Sequence, residues 1–227
     1  MPPITTIFFD MDNTLFDFNR AQKTACAAIA GSVGQTDGDI LFEEYFRSGR
    51  HGFESHENIR QYLTDRSLFD EDVYQRARRI YEMVKLREVV PYDGVSTTLS
   101  CLQQQGFTMG VITDAHSHDA TRRLEKSRLF GYFDGIVTHD MVRARKESEV
   151  PFLFALDMLE TRPGSALVVG DSPHRDIRPA KNLGIRTVYA KYGDQYSAIQ
   201  ECADADFTIS RMDELLQVIG TLKADSR

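Results

Sequence analysis

The chain has no tryptophan, few cysteines and no long apolar stretch in its 227 residues. Cys26, Cys101 and Cys202 are odd in number and far apart, so they form neither a disulfide framework nor a metal-ligand cluster. No run approaches the ~20 apolar residues that a membrane-spanning helix needs. Met1-Pro2-Pro3-Ile4 also lacks the basic region and apolar run of a secretory leader. A reducing, cytoplasmic setting with no membrane partner is expected. Basic residues are in deficit: Lys+Arg 27 against Asp+Glu 34 leaves a net charge of −7. That disfavours nucleic acid as a partner, because affinity for a phosphate backbone comes from clustered Lys and Arg. It does not exclude a small anionic substrate, since one lysine or one bound cation reverses the local field. What is present, 41% hydrophobic, 27% charged and 10% aromatic, is the composition of a packed globular chain.

The first apolar run, Ile4–Phe9, is short, rich in β-branched and aromatic residues, and stops abruptly at Asp10. It reads as a buried strand. Similar runs recur at Phe107–Thr113, Gly135–Thr138, Ala166–Val169, Thr187–Ala190 and Phe207–Ile209. From Pro91 onward segments with helical features separate them, the pattern of βαβ units and a parallel sheet. Val95, Leu99 and Leu102 share one helix face and are followed by Gly106; Val150–Leu159 and Pro179–Leu183 read likewise, the second closed by Gly184. Residues 18–90 break this rhythm. They hold helical stretches at Ala21–Ala30, Ile40–Phe46, Asn58–Leu63 and Asp70–Arg87 without a convincing strand. The expected fold is therefore α/β, a doubly wound parallel-sheet core of residues 1–17 and 91–227, with an α-helical domain, 18–90, inserted after the first strand.

Doubly wound sheets bind ligands beyond the carboxyl ends of their strands. At those ends lie Asp10-Met11-Asp12-Asn13-Thr14-Leu15, then Thr113-Asp114, then Gly170-Asp171-Ser172-Pro173-His174-Arg175-Asp176. Taken singly, each acid reads as a cap for the next helix. Acid pairs after the first and fourth strands, with Thr113 and Lys146 between them, are harder to obtain by capping alone. Clustered carboxylates repel unless a cation neutralises them or one takes a proton, and an oxygen ligand set suits Mg²⁺. Asp10 and Asp12, two apart in extended backbone, would share a face, as a nucleophile and an acid/base require.

These residues resemble the motifs of the haloacid-dehalogenase-like (HAD) superfamily. Asp10–Leu15 resembles its first motif, Val111-Ile112-Thr113 its second, Lys146 its third and Gly170–Asp176 its fourth. The helical insert resembles the C1 type of cap. The resemblance implies a Rossmann-like HAD core and an aspartyl-phosphate mechanism. Asp10 would be the nucleophile and Asp12 would protonate the leaving oxygen, then deprotonate water. Mg²⁺ would be held by the Asp10 side chain, the Asp12 carbonyl and Asp171. Thr113 and the backbone N–H of Asp114 would bind phosphoryl oxygens, Lys146 would neutralise charge, and Asp176 would orient Lys146 or a metal-bound water. Two departures stand out. Asp114 replaces an Asn common among relatives, and its side chain is expected to turn away and cap the next helix; Glu147-Ser148-Glu149 replaces a stretch often rich in proline.

The acid at position 12 argues against dehalogenation, because halide leaves without a proton, whereas an alcohol needs one. The expected activity is hydrolysis of a small phosphorylated metabolite by a monomer or weak homodimer. The alternatives are a phosphomutase of the β-phosphoglucomutase type and a non-catalytic phosphate sensor. Within the insert, Arg50 and His51 are candidate substrate contacts against a reading as ordinary exposed loop. His116 and His118 resemble a metal-binding pair without a third ligand. Arg76, Arg78 and Arg79 read as a solvated helix face.

Overall fold

Six short apolar runs pair into one parallel sheet: β1 (Thr6–Phe9), β2 (Thr108–Ile112), β3 (Gly135–Val137), β4 (Ala166–Gly170), β5 (Arg186–Ala190) and β6 (Phe207–Ile209). They are the six runs that the sequence marks as strands. Their order is β3-β2-β1-β4-β5-β6, so the chain builds outward from β1 in one direction and from β4 in the other. β1 pairs on both sides, with Phe9 level with Val111 of β2 and Val169 of β4. The carboxyl ends of β1 and β4 thus form the switch point of a doubly wound sheet, where such sheets take ligands. Every residue of β1 and β4 is buried, as parallel strands covered on both faces are. Phe8, Ile112 and Val168 join Phe152, Leu156 and Ala180 in one core cluster. Phe9 faces the opposite side, edge-to-face with Phe133 at 6.1 Å between ring centroids.

The computed structural model describes residues 2–48, 51–196 and 204–224; Arg50 and Cys202 lie outside them. The chain divides into two compact units, Met1–Asp17 with Val90–Arg227, which holds the sheet, and Phe18–Val89. The second is helical: α1 (Phe18–Ser32), α2 (Gly38–Ile40, continued by a wider π turn over Leu41–Arg47), α3 (Glu57–Asp65) and α4 (Glu71–Arg87). Helix α4 shows why. Asp70, in extended backbone, accepts from the N–H groups of Asp72 and Val73. Glu71 and Asp72 open the helix while Lys85 and Arg87 close it, each sign where the helix dipole favours it. Tyr74, Ala77, Tyr81 and Val84 form its buried stripe, and Tyr81 stacks on Phe46 at 4.8 Å.

The stretch expected to be ordinary exposed loop is instead tied down over residues 52–56, while His51 is exposed. Gln22 Nε2 donates to the Phe53 carbonyl at 2.9 Å and Asn58 Nδ2 to the Gly52 carbonyl at 2.8 Å. Buried Lys85 donates to Glu54 and Glu82, both at 3.1 Å. His56 Nδ1 accepts from Arg78 Nε at 3.2 Å, which leaves Nε2 to donate to Glu82 Oε1 at 2.7 Å. Burial alone would raise the Glu82 carboxyl, but His56 and Lys85 bring it down to about 2. Arg78 is therefore a correction to the solvated-face reading, because a histidine acceptor draws it inward; Arg76 and Arg79 are exposed as expected.

The first unit carries α5 (Val95–Gln104), α6 (Ser117–Lys126), α7 (His139–Val142), α8 (Val150–Met158), α9 (Arg178–Asn182) and α10 (Leu215–Ala224). Gly106 and Gly184 follow α5 and α9 with φ of +81° and +77°, left-handed geometry that glycine adopts at helix ends without steric cost. No helix among the described residues is long and apolar enough to cross a membrane.

Candidate active site

Strand β1 ends at Phe9, and the next residue, Asp10, still donates its N–H to the Val169 carbonyl of β4 at 2.9 Å. The chain then turns tightly: Asn13 sits at φ +66°, a left-handed geometry that asparagine tolerates, and its N–H bonds the Phe16 carbonyl at 2.8 Å. This turn brings Thr14 back beneath the nucleophile candidate, where its Oγ1 donates to Asp10 Oδ2 at 2.9 Å. The other Asp10 oxygen accepts from Lys146 Nζ. Lys146 Nζ also donates to Asp176 Oδ1 at 2.5 Å, and the lysine is 1% exposed. Burial disfavours its charge, yet the carboxylates of Asp10 and Asp176 hold the ammonium above its ordinary range.

Asp176 reaches this lysine because a π turn over Pro173–Ile177 follows β4. Its second oxygen accepts from the Ser172 N–H at 2.9 Å. Burial raises the Asp176 carboxyl to about 6, opposed by Lys146 and reinforced by Asp10. Asp171 completes a trio: ligand oxygens of Asp10, Asp171 and Asp176 all lie within 4.8 Å of one another. Burial, then the charges of Asp10 and Asp176, push the Asp171 carboxyl well above the usual range. Its Oδ1 is buried without a hydrogen-bond partner among the described residues. An oxygen-only donor set with one unsatisfied carboxylate oxygen fits a hard cation, which would supply the charge that the trio lacks.

Three further residues complete the picture. Thr113, at the end of β2, is buried and its Oγ1 accepts from the Ala115 N–H at 3.1 Å. Asp114 corrects the expectation that it caps the next helix. The His116 side chain does not cap α6, whose first N–H, that of Ser117, goes to Asp140; Asp114 Oδ1 instead accepts from the backbone N–H of Lys146 at 3.1 Å. It thus caps the short turn Lys146–Ser148 that carries the lysine, because that turn presents an unpaired N–H. Asp12 Oδ2 accepts from Arg123 Nη1 at 2.7 Å, so the carboxylates of Asp10 and Asp12 take different partners.

A family model for haloacid dehalogenase-like hydrolases matches residues 7–190. The chain belongs to this family. It is 27% identical to the glyceraldehyde 3-phosphate phosphatase of Pyrococcus furiosus over 226 residues, 96% of this chain and 94% of that one. It is 28% identical to the phosphoglycolate phosphatase of Aquifex aeolicus over 223 residues, 94% and 95% of the two chains. The fold is also that of the HAD-hydrolase YfnB from Bacillus subtilis, in a crystal structure bound to magnesium, with a TM-score of 0.75 and 20% identity over 96% of this chain and 100% of that one.

In this haloacid dehalogenase-like hydrolase, Asp10, Lys146, Asp171 and Asp176 come together from three separate loops. Two arginines escape the sequence reading. Arg175 lies inside the fourth motif, donates Nε to Ser172 Oγ at 3.3 Å and offsets the charge of Asp171. Arg123 sits on the buried stripe of α6 with Ala120 and Leu124, and an arginine on an apolar stripe was the available signal. The histidine pair is rearranged. His116 approaches His139 at 5.8 Å between ring centroids, and the acidic trio is the one cluster of three potential ligands among the described residues.

Proposed function

We propose that this chain is a Mg²⁺-dependent phosphatase that hydrolyses a small phosphomonoester through an aspartyl-phosphate on Asp10. The observation that carries the reading is Asp10 itself, a buried carboxylate at the switch point, held by Thr14 and Lys146 beside an Asp171 oxygen that has no hydrogen-bond partner among the described residues. Mg²⁺ would be held by the Asp10 side chain, the Asp12 carbonyl and Asp171, and when bound it shields the phosphate dianion from the attacking carboxylate. Asp176, with both oxygens already engaged, orients Lys146.

An Asp10 oxygen attacks phosphorus, the ester P–O bond breaks, and Asp12 gives its proton to the departing oxygen. Water then attacks phosphorus, Asp12 takes the water's proton, and the bond to Asp10 breaks. Thr113 Oγ1 accepts from the Ala115 N–H, so its own O–H is available to a phosphoryl oxygen together with the N–H of Asp114. Lys146 balances the charge that develops. Residues 18–90 are read as the C1-type cap that selects the substrate, with His51 a candidate contact. Relatives named for glyceraldehyde 3-phosphate and phosphoglycolate support a small phosphorylated metabolite as substrate. The proposal also includes a cytoplasmic setting and a monomer or weak homodimer.

The test is hydrolysis of p-nitrophenyl phosphate with Mg²⁺ by wild type and Asp10→Asn. Wild-type turnover that disappears in the variant is expected; equal rates would remove Asp10 from the mechanism. Conversion of β-glucose 1-phosphate to the 6-phosphate without release of phosphate, followed by phosphorus NMR, would replace hydrolysis with the mutase reading.

A further inference from the structure

We infer that Arg123 is a positioning residue that sets the orientation of the Asp12 carboxylate. The inference rests on the reading of Asp12 as the acid/base. The two residues are 111 apart in sequence, yet Arg123 Nη1 meets Asp12 Oδ2 at 2.7 Å. Arg123 is 2% exposed, and an arginine so deeply buried needs a fixed anionic partner to offset its desolvation. Its planar guanidinium constrains direction as well as charge, which a lysine ammonium does not. Helix α6, which carries it, is fixed at its own start. Asp140 accepts from the Ser117 N–H at 2.9 Å and from the Ser117 hydroxyl at 2.7 Å, and also from Thr138 Oγ1 at 2.8 Å. The guanidinium therefore projects from a helix anchored at its first residue. Its bond to Asp12 is what places Arg123 in the mechanism, so it acts through Asp12.

A leaving group that is a strong base needs the proton from Asp12 as the P–O bond breaks, whereas 2,4-dinitrophenolate departs without one. Loss of Arg123 should therefore discriminate between leaving groups, which a general loss of folding or binding would not. The experiment compares kcat/KM, which covers only the first phosphoryl transfer, for phenyl phosphate and 2,4-dinitrophenyl phosphate with Mg²⁺. Wild type, Asp12→Asn, Arg123→Gln and Arg123→Lys are measured, with thermal melting of each. Arg123→Gln should lower the phenyl phosphate value about 10- to 100-fold and the dinitrophenyl value less than about threefold, with Arg123→Lys between it and wild type. Equal losses on both substrates, no loss, or faster phenyl phosphate turnover would overturn the inference. If Arg123→Gln does not melt cooperatively, Arg123→Lys carries the same comparison. An Asp12→Asn variant without selectivity would instead defeat the reading of Asp12.

Discussion

Gly170, the last residue of β4, has no room for a side chain. A Cβ there would lie 2.4 Å from Asp176 Cγ and 2.5 Å from both its Cβ and Oδ2. An ordinary carbon contact needs roughly 3.5 Å, so Gly170→Ala must displace Asp176 by about 1 Å. The displaced group is not a free side-chain end, because both carboxylate oxygens are bonded, to Lys146 Nζ at 2.5 Å and to the Ser172 N–H at 2.9 Å. Adding about 1 Å to either bond takes it to or past the limit of a hydrogen bond. Overpacking of this kind costs about 1–3 kcal/mol, or a fall in Tm of roughly 2–12 °C for a chain of this size. Displacement of the residue that orients Lys146 should lower kcat by about 100-fold. The control is Gly220→Ala in α10, where a Cβ meets nothing within 4 Å; it should be neutral or raise stability by up to about 1 kcal/mol. Thermal melts and p-nitrophenyl phosphate kinetics on both variants test the pair. Gly170→Ala with unchanged Tm and kcat would refute the reasoning.

Removing Asp114 should loosen the turn that carries Lys146: Asp114→Ala is expected to lose about 1–2 kcal/mol and about tenfold in kcat, and an unchanged melt would exclude the cap. Mg²⁺ should raise the Tm of wild type, by about 2.7 kcal/mol of stability at 100 times its Kd, and should not shift Asp171→Asn; equal shifts in both would place the cation elsewhere. Asp171→Asn without metal should melt above wild type, since it removes a buried carboxyl that has no partner for Oδ1 among the described residues. In the helical unit, Glu82 falls from an ordinary 4.5 to about 2. A carboxyl lowered by folding contributes stability above its unfolded value and loses it as pH drops toward the folded one. The stability gap between wild type and Glu82→Gln in urea melts should therefore shrink from pH 4.5 to pH 2, and a gap independent of pH would count against the ion pairing.

Much of the architecture could be read locally. A parallel strand is a short apolar run, and the six runs that mark β1 to β6 stop where a polar residue follows, so the acids at their ends stood out as a group. Direction of a side chain was harder. Asp114 reads as a cap, and it is one, but the turn it caps lies 32 residues away at Lys146. The segment before His56 looked like free loop because its anchors, Gln22, Glu82 and Lys85, come from other helices. Gly170 appeared as a letter in a motif, while its need to lack a side chain arises only when the π turn brings Asp176 back over it.

The sequence by itself determined the sheet, the helical insert and the set of acids offered to the switch point, because strand periodicity and strand ends are properties of neighbouring residues. Tertiary structure alone decided which acid meets which cation: Lys146 between Asp10 and Asp176, Arg123 on Asp12, and a buried Asp171 oxygen without a partner among the described residues. The physical reason is that ion pairing and desolvation depend on distance through space and on burial, and neither is set until the loops after separate strands are folded side by side.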